Sequence, residues 1–195
     1  MNIATGSPPS NPYPLQGVEK VAIRLIVDGY NLIRQSSSLR EVESRDLQMG
    51  REALIHQLAS YKRIRGHEIT VVFDGWRSGN LTEDQQWQRE ILVIYSRRDE
   101  RADDVIKRMA KRFGQGAVVV TSDREVAHFA EMVGATTISS EEFEGRMGMA
   151  VVMEERVMDP EGAEREIRRK GTKKKGPAKR PPKNRRRTIE RLKKL

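Results

Sequence analysis

The sequence predicts an α/β fold, an open parallel sheet with helices on both faces, and three observations predict it. Five short apolar runs rich in Val and Ile recur along the chain, segments of helical period separate them, and residues 18–159 contain none of the eight prolines. Strands that alternate with helices are joined by right-handed crossovers, which set neighbouring strands parallel and cover both faces of the sheet.

The strands are expected at 21–27, 69–73, 91–95, 117–121 and 136–138. Each is bounded by turn residues and shows little polar alternation, as strands buried on both faces should. A helix is expected over 46–65, with Leu47, Leu54, Ile55, Leu58 and Tyr61 on one side. A second, over 102–113, places Ala102, Val105, Ile106, Met109, Ala110 and Phe113 at offsets 0, 3, 4, 7, 8 and 11, a single apolar stripe. A third covers 124–133, and a short helix over 140–147 closes the domain. The polar stretch 77–88 reads as a loop.

Three regions follow from the same pass. Residues 1–17 form a Pro-rich flexible segment, 18–160 a domain of ordinary size, and 161–195 a basic tail. The tail concentrates charge: residues 165–195 hold 16 Lys or Arg and 2 acids, a net of +14, against −5 for everything before them. Like charges at that density repel and few apolar groups remain to order the chain, so the tail is expected to be disordered when free. Residues 188–195 are the exception, a short helix that needs a partner to form.

With no cysteine in the chain, disulfides, zinc-thiolate sites and thiol catalysis are excluded. The opening residues have neither the apolar core of a signal peptide nor the arginines of a transit peptide. No apolar stretch approaches the ~20 residues that span a bilayer. A cytoplasmic protein without membrane contact is the expectation.

Four acidic signatures punctuate the ends of the apolar runs: Val27-Asp28-Gly29-Tyr30-Asn31, Phe73-Asp74-Gly75, Ala102-Asp103-Asp104 and Thr121-Ser122-Asp123. Taken singly, each fits a turn or a helix cap. Taken together on one parallel sheet, they converge on the edge formed by the carboxyl ends of the strands, where α/β folds bind their ligands. Unit charges 4 Å apart repel by about 4 kcal/mol at an effective dielectric of 20, so such a cluster requires a cation or raised pKa values. All-oxygen ligation suits Mg²⁺ or Mn²⁺, and the chemistry that fits is activation of water against a phosphodiester. Helical geometry selects between the adjacent acids: Asp103 lies about 90° from the apolar stripe and Asp104 nearly opposite it. Asp103 is the expected ligand, and Asp104 the expected ion-pair partner of Arg108.

These residues, with Tyr95-Ser96-Arg97-Arg98 leading into Ala102-Asp103-Asp104-Val105-Ile106, resemble the YacP-like branch of the NYN nucleases across residues 22–147. The resemblance implies a PIN-like fold and metal-dependent endoribonuclease activity. It also implies that Asp28, Asp74, Asp103 and Asp123 are the catalytic, metal-binding positions, with Asp28 and Asp103 foremost. Asn31 matches the family's Asn and is expected to orient Asp28 or to contact phosphate. In-line attack by water would leave a 5′-phosphate and a 3′-hydroxyl.

Around the acids, Arg97 and Arg98 are placed to clamp phosphates, and Ser122 with the following helix N-terminus to bind one. Trp76 and Trp87 are expected to pack on the domain rather than stack bases. His56, His67 and His128 show no ligand spacing and are given no role. The tail has the electrostatic footprint of a nucleic-acid binder, and RNA, either messenger or structured, is the expected partner, with the ribosome as one destination. Two other readings share parts of this pattern: a non-catalytic RNA- or ribosome-binding protein, and a nuclease acting on DNA.

Overall fold

The computed structural model describes residues 23–75, 82–158 and Leu192. Among these residues six strands and six α-helices follow in the order β1 (Arg24–Asp28), α1 (Gly29–Gln35), α2 (Ser37–Arg45), α3 (Leu47–Arg65), β2 (Glu68–Phe73), β3 (Asp84–Gln88), β4 (Ile91–Tyr95), α4 (Ala102–Phe113), β5 (Ala117–Val120), α5 (Arg124–Met132), β6 (Thr136–Ile138) and α6 (Ser140–Met158). The sheet order is β3-β4-β2-β1-β5-β6. β1 lies at the centre, paired in parallel with β2 on one side and β5 on the other.

Period-two alternation divides β1, β2, β4 and β5 between two cores. Leu25, Val27, Val71, Phe73, Val93 and Val118 face one side, where Leu32 and Ile33 of α1, Leu54 and Leu58 of α3 and Phe143 of α6 cover them. Ile26, Val72, Ile94 and Val119 face the other, beneath Val105, Ile106 and Ala110 of α4 and Val126 and Ala130 of α5. The α4 stripe expected from the sequence is the face that packs there. Residues 69–73, 91–95, 117–120 and 136–138 are strand as expected, and helices over 47–65, 102–113 and 124–132 likewise.

Four elements differ from the expectation. β3 takes the place of part of the polar loop and pairs antiparallel with β4, so the sheet is mostly, not wholly, parallel. Its sequence, Asp84-Gln85-Gln86-Trp87-Gln88, lacks apolar alternation because an edge strand buries little. The hairpin turn hides too, since Arg89 and Glu90 take the positive φ values, 49° and 64°, that two-residue hairpins usually assign to Asn or Gly. α1 and α2 fill 29–45, which carried no periodicity long enough to read, and α6 continues well past residue 147 to Met158.

The domain boundaries at 17/18 and 160/161 fall outside the described residues, as does Trp76. Of the basic stretch, Leu192 is described: it is helical and packs against the first core, and Arg146 donates a hydrogen bond to its carbonyl. Here a tail residue meets the protein's own core, where a separate partner was the expectation. No described helix is long and apolar enough to cross a membrane.

Candidate metal centre

The four acids sit at the carboxyl edge of the sheet, around its central strand. Asp28 ends β1, Asp74 follows β2, Asp123 follows β5, and Asp103 stands in the first turn of α4. The helix caps and the carboxylate cluster are one construction. Asp28 caps α1, its Oδ1 accepting from the Asn31 N–H at 3.2 Å. Asp123 caps α5, its Oδ1 accepting from the N–H groups of Glu125 (2.8 Å) and Val126 (3.1 Å). Asp74 reaches across to α4, where Oδ1 accepts from the Ala102 N–H at 2.7 Å. Asp28, Asp74 and Asp123 are thereby held by N–H groups at helix starts that the helices themselves leave without a partner. Asp74 and Asp123 each keep the second oxygen uncommitted among the described residues.

Asp28 is the innermost. It is 7% exposed, and its Oδ2 accepts from the Thr121 hydroxyl at 3.0 Å. Thr121 Oγ1 in turn accepts from the Asp123 N–H at 3.1 Å, so one hydroxyl spans two acids of the cluster. Burial is the main reason that Asp28 is pushed up to about 6, with further contributions from the charges of Asp103 and Asp74. Asp103 is half-buried, and burial again leads in raising its pKa, with Asp123 and Asp74 adding to the rise and Arg101 opposing it. Arg101 Nη2 stands 3.1 Å from Asp103 Oδ2. Asp28 therefore feels the charges of Asp103 and Asp74, and Asp103 those of Asp123 and Asp74.

Asp104 is exposed, and its Oδ2 accepts from the Arg101 N–H at 3.3 Å in a reciprocal cap. The expected Asp104–Arg108 pair does not form, because Arg108 pairs with Glu83 and Glu100 instead. Two long acidic side chains from the β3 and β4–α4 segments reach the guanidinium that the shorter aspartate would have shared.

Asn31 differs in detail from the expectation. Its backbone binds Asp28, but its side-chain Oδ1 accepts from the Ser122 N–H (2.9 Å) and the Ser140 hydroxyl (2.8 Å). Ser122 Oγ accepts from the Ser140 N–H at 3.2 Å. Asn31 and Ser122 thus tie α1, the β5–α5 loop and the start of α6 together behind the acids. Arg97 and Arg98 are exposed on the β4–α4 loop, and Arg97 Nε stands 3.6 Å from Glu100. Trp87 is 72% exposed, contrary to the packing expected of it, because it lies on the edge strand; Lys62 Nζ stands 6.0 Å from its ring centroid. His56 and His128 are exposed, and His67 is buried against Tyr61.

Two glycines allow the edge to close. A Cβ on Gly29 would stand 2.3 Å from the Phe73 ring, and one on Gly75 would stand 1.8 Å from the Ser96 carbonyl oxygen. The Asp-Gly pairs are close approaches between elements, not free turns. Sequence reasoning missed Thr121, whose neighbour Asp123 drew the attention, and Ser140, which has no acid beside it.

The donor set fits a hard divalent cation: oxygen atoms alone, several negative charges, and raised pKa values that a cation would relieve. Among the described residues no three acidic or histidine side chains close around a single point. That is compatible with Mg²⁺, which retains several waters and is held through one or two carboxylates.

The fold and this edge define a PIN-like domain of nuclease type, and the chain belongs to the YacP-like NYN domain family, whose model matches residues 25–194. That match continues into the basic stretch. Protein YacP of Bacillus subtilis (strain 168) is 32% identical over 102 residues, 51% of this chain and 59% of that protein. The match thus spans less than two thirds of that relative. A crystal structure of Rae1 (YacP) from Bacillus subtilis, a point mutant, is similar at a TM-score of 0.59 and 26% identity, covering 69% of this chain and 80% of that one. A second crystal structure of Rae1 (YacP) gives 0.57 and 28%, covering 73% and 83%.

Proposed function

We propose that this protein is a metal-dependent endoribonuclease, using Mg²⁺ or Mn²⁺ at Asp28, Asp74, Asp103 and Asp123 and delivering RNA through its basic C-terminal stretch. One observation carries the reading: four carboxylates from four elements stand along the ligand-binding edge, and the charges of Asp74, Asp103 and Asp123 add to burial in raising the pKa of Asp28 or of Asp103. Burial of Asp28 and Asp103 disfavours their charged forms, which turns and caps alone would not require.

The residues divide the work by depth. Asp28, buried and clamped through both oxygens, is the fixed anchor. Asp103 is half-buried and stands at the mouth, suited to meet both a cation and the attacking water. Asp74 and Asp123 each bind a helix N–H through one oxygen, which leaves the other available to a cation. A bound Mg²⁺ or Mn²⁺ lowers the pKa of water and neutralises charge developing on phosphate. Because an acidic edge repels RNA, attraction must come from basic groups elsewhere, and the +14 stretch supplies it.

The test is cleavage of a single-stranded RNA with Mg²⁺ or Mn²⁺, against EDTA and against a DNA oligonucleotide of the same sequence. Asp28→Asn and Asp103→Asn should each lose about 10²-fold or more, as removal of a group supporting several kcal/mol of charge stabilisation predicts. Variants that cleave at the wild-type rate would overturn the assignment. Preferential cutting of DNA would make the protein a deoxyribonuclease, and no cutting at all a non-catalytic RNA binder.

A further inference from the structure

A cavity of about 500 Å³ opens beside the acid cluster, with Asp74 on its wall. α1 supplies Tyr30 and, one turn on, Arg34; α2 supplies Arg40, Glu43 and Arg45; the corner between α2 and α3 supplies Asp46. Several of these charges are already engaged. Arg45 pairs with Glu41, and Asp46 accepts from the Met49 N–H at 2.8 Å as the cap of α3. Arg34 and Arg40 are exposed and have no carboxylate partner among the described residues. Arg34 lies over the Tyr30 ring at 5.8 Å.

Tyr30 is held with unusual firmness. Arg51 donates to its hydroxyl oxygen from Nε at 2.8 Å and again from Nη2. Arg51 itself is gripped by aromatic rings, 5.4 Å from Tyr30, 5.8 Å from Phe73 and 5.4 Å from Tyr95. A phenol oxygen accepting two hydrogen bonds has both lone pairs occupied, so its own proton is left to donate. No described residue takes it.

We infer that this cavity is a phosphate subsite for single-stranded RNA next to the acid cluster, with Arg34 and Arg40 as cationic donors and the Tyr30 hydroxyl as a neutral one. Guanidinium groups suit the bidentate geometry of phosphate, and the volume accommodates a nucleotide unit. Arg51 is a positioning residue that presents the Tyr30 proton and places a fixed positive charge behind it. The inference deepens the nuclease reading and rests on it for RNA as the ligand.

Binding tests it without turnover. The full chain is titrated against a fluorescein-labelled 12-nucleotide single-stranded RNA by anisotropy, with EDTA present so that the probe stays intact whether or not the protein is a nuclease. Arg34→Ala/Arg40→Ala should weaken binding about tenfold and make the log–log salt slope shallower by about 1.4, at roughly 0.7 for each phosphate no longer neutralised. Arg34→Lys/Arg40→Lys, which keeps both charges, should retain the slope. Tyr30→Phe should weaken binding about threefold with the slope unchanged, since a neutral donor releases no counterion. Wild-type affinity and slope in the double alanine variant would overturn the subsite; wild-type binding by Tyr30→Phe would remove the hydroxyl from it. A wild-type protein that binds this way yet leaves RNA intact with Mg²⁺ or Mn²⁺ would sink the nuclease reading and leave the subsite standing.

Discussion

At the residue scale, Asp28 shows what the site costs the fold. A rise from 3.8 to about 6 corresponds to roughly 3 kcal/mol of penalty on the charged form, at 1.36 kcal/mol per unit. The folded state therefore holds a proton more tightly than the unfolded chain does, and this residue's contribution to stability falls as pH rises from 3.8 through 6. Asp28→Asn removes the charge but weakens the bond to Thr121, so the net gain should be about 1–2 kcal/mol at pH 7.5 without metal. The gain should shrink as pH falls through 6 and vanish about one unit below 3.8, where Asp28 is neutral in both states; urea unfolding at pH 7.5 and at about pH 3 measures it. Saturating Mn²⁺ should reverse the order, raising the melting temperature of wild type by the equivalent of about 2.7 kcal/mol at 100 times Kd and that of Asp28→Asn far less. Activity should accordingly rise with pH through an acid limb that moves lower as Mn²⁺ is increased.

At the element scale, the edge depends on how closely strand ends approach one another. β2 and β4 run side by side, and the chain leaving β2 at Gly75 passes against the Ser96 carbonyl while the Gly75 N–H donates to Ser96 Oγ at 3.0 Å. Gly75→Ala places a methyl group where backbone already stands, so a loss of about 2–3 kcal/mol is expected by chemical denaturation. Because Asp74 is adjacent, metal affinity should fall along with stability. The elements that position the acids were largely legible: β1, β2, β4, β5, α4 and α5 carry long apolar patterns set by burial. α1, α2 and β3 were not. The first two are short helices whose stability comes from contacts with α3 and α6 rather than from their own periodicity, and β3 is an edge strand whose residues face water.

At the scale of the whole molecule, charge is partitioned between an acidic edge and a basic C-terminal stretch. If six to ten of the 16 basic residues in 165–195 meet phosphates, RNA affinity should fall by about 10³–10⁵-fold between 50 and 200 mM salt. Replacing the Lys and Arg of residues 165–187 by Ser, which keeps the chain length and Leu192, should flatten that dependence and leave Mn²⁺ binding by the acids unchanged. An unchanged salt slope would move the main RNA contact onto the domain itself.

The sequence by itself determined which residue types were available and which strand ends they followed. The order of apolar runs sets the parallel strands, and parallel strands bring Asp28, Asp74 and Asp123 to one edge. Helical period alone separated half-buried Asp103 from exposed Asp104. Only the tertiary structure decided how those acids are held. The Thr121 bridge, the Asn31–Ser122–Ser140 tie and the Arg51 grip on Tyr30 join residues 18 to 109 positions apart. Such pairs leave no periodic trace, because hydrogen bonds between distant loops depend on where the chain returns rather than on what lies beside it.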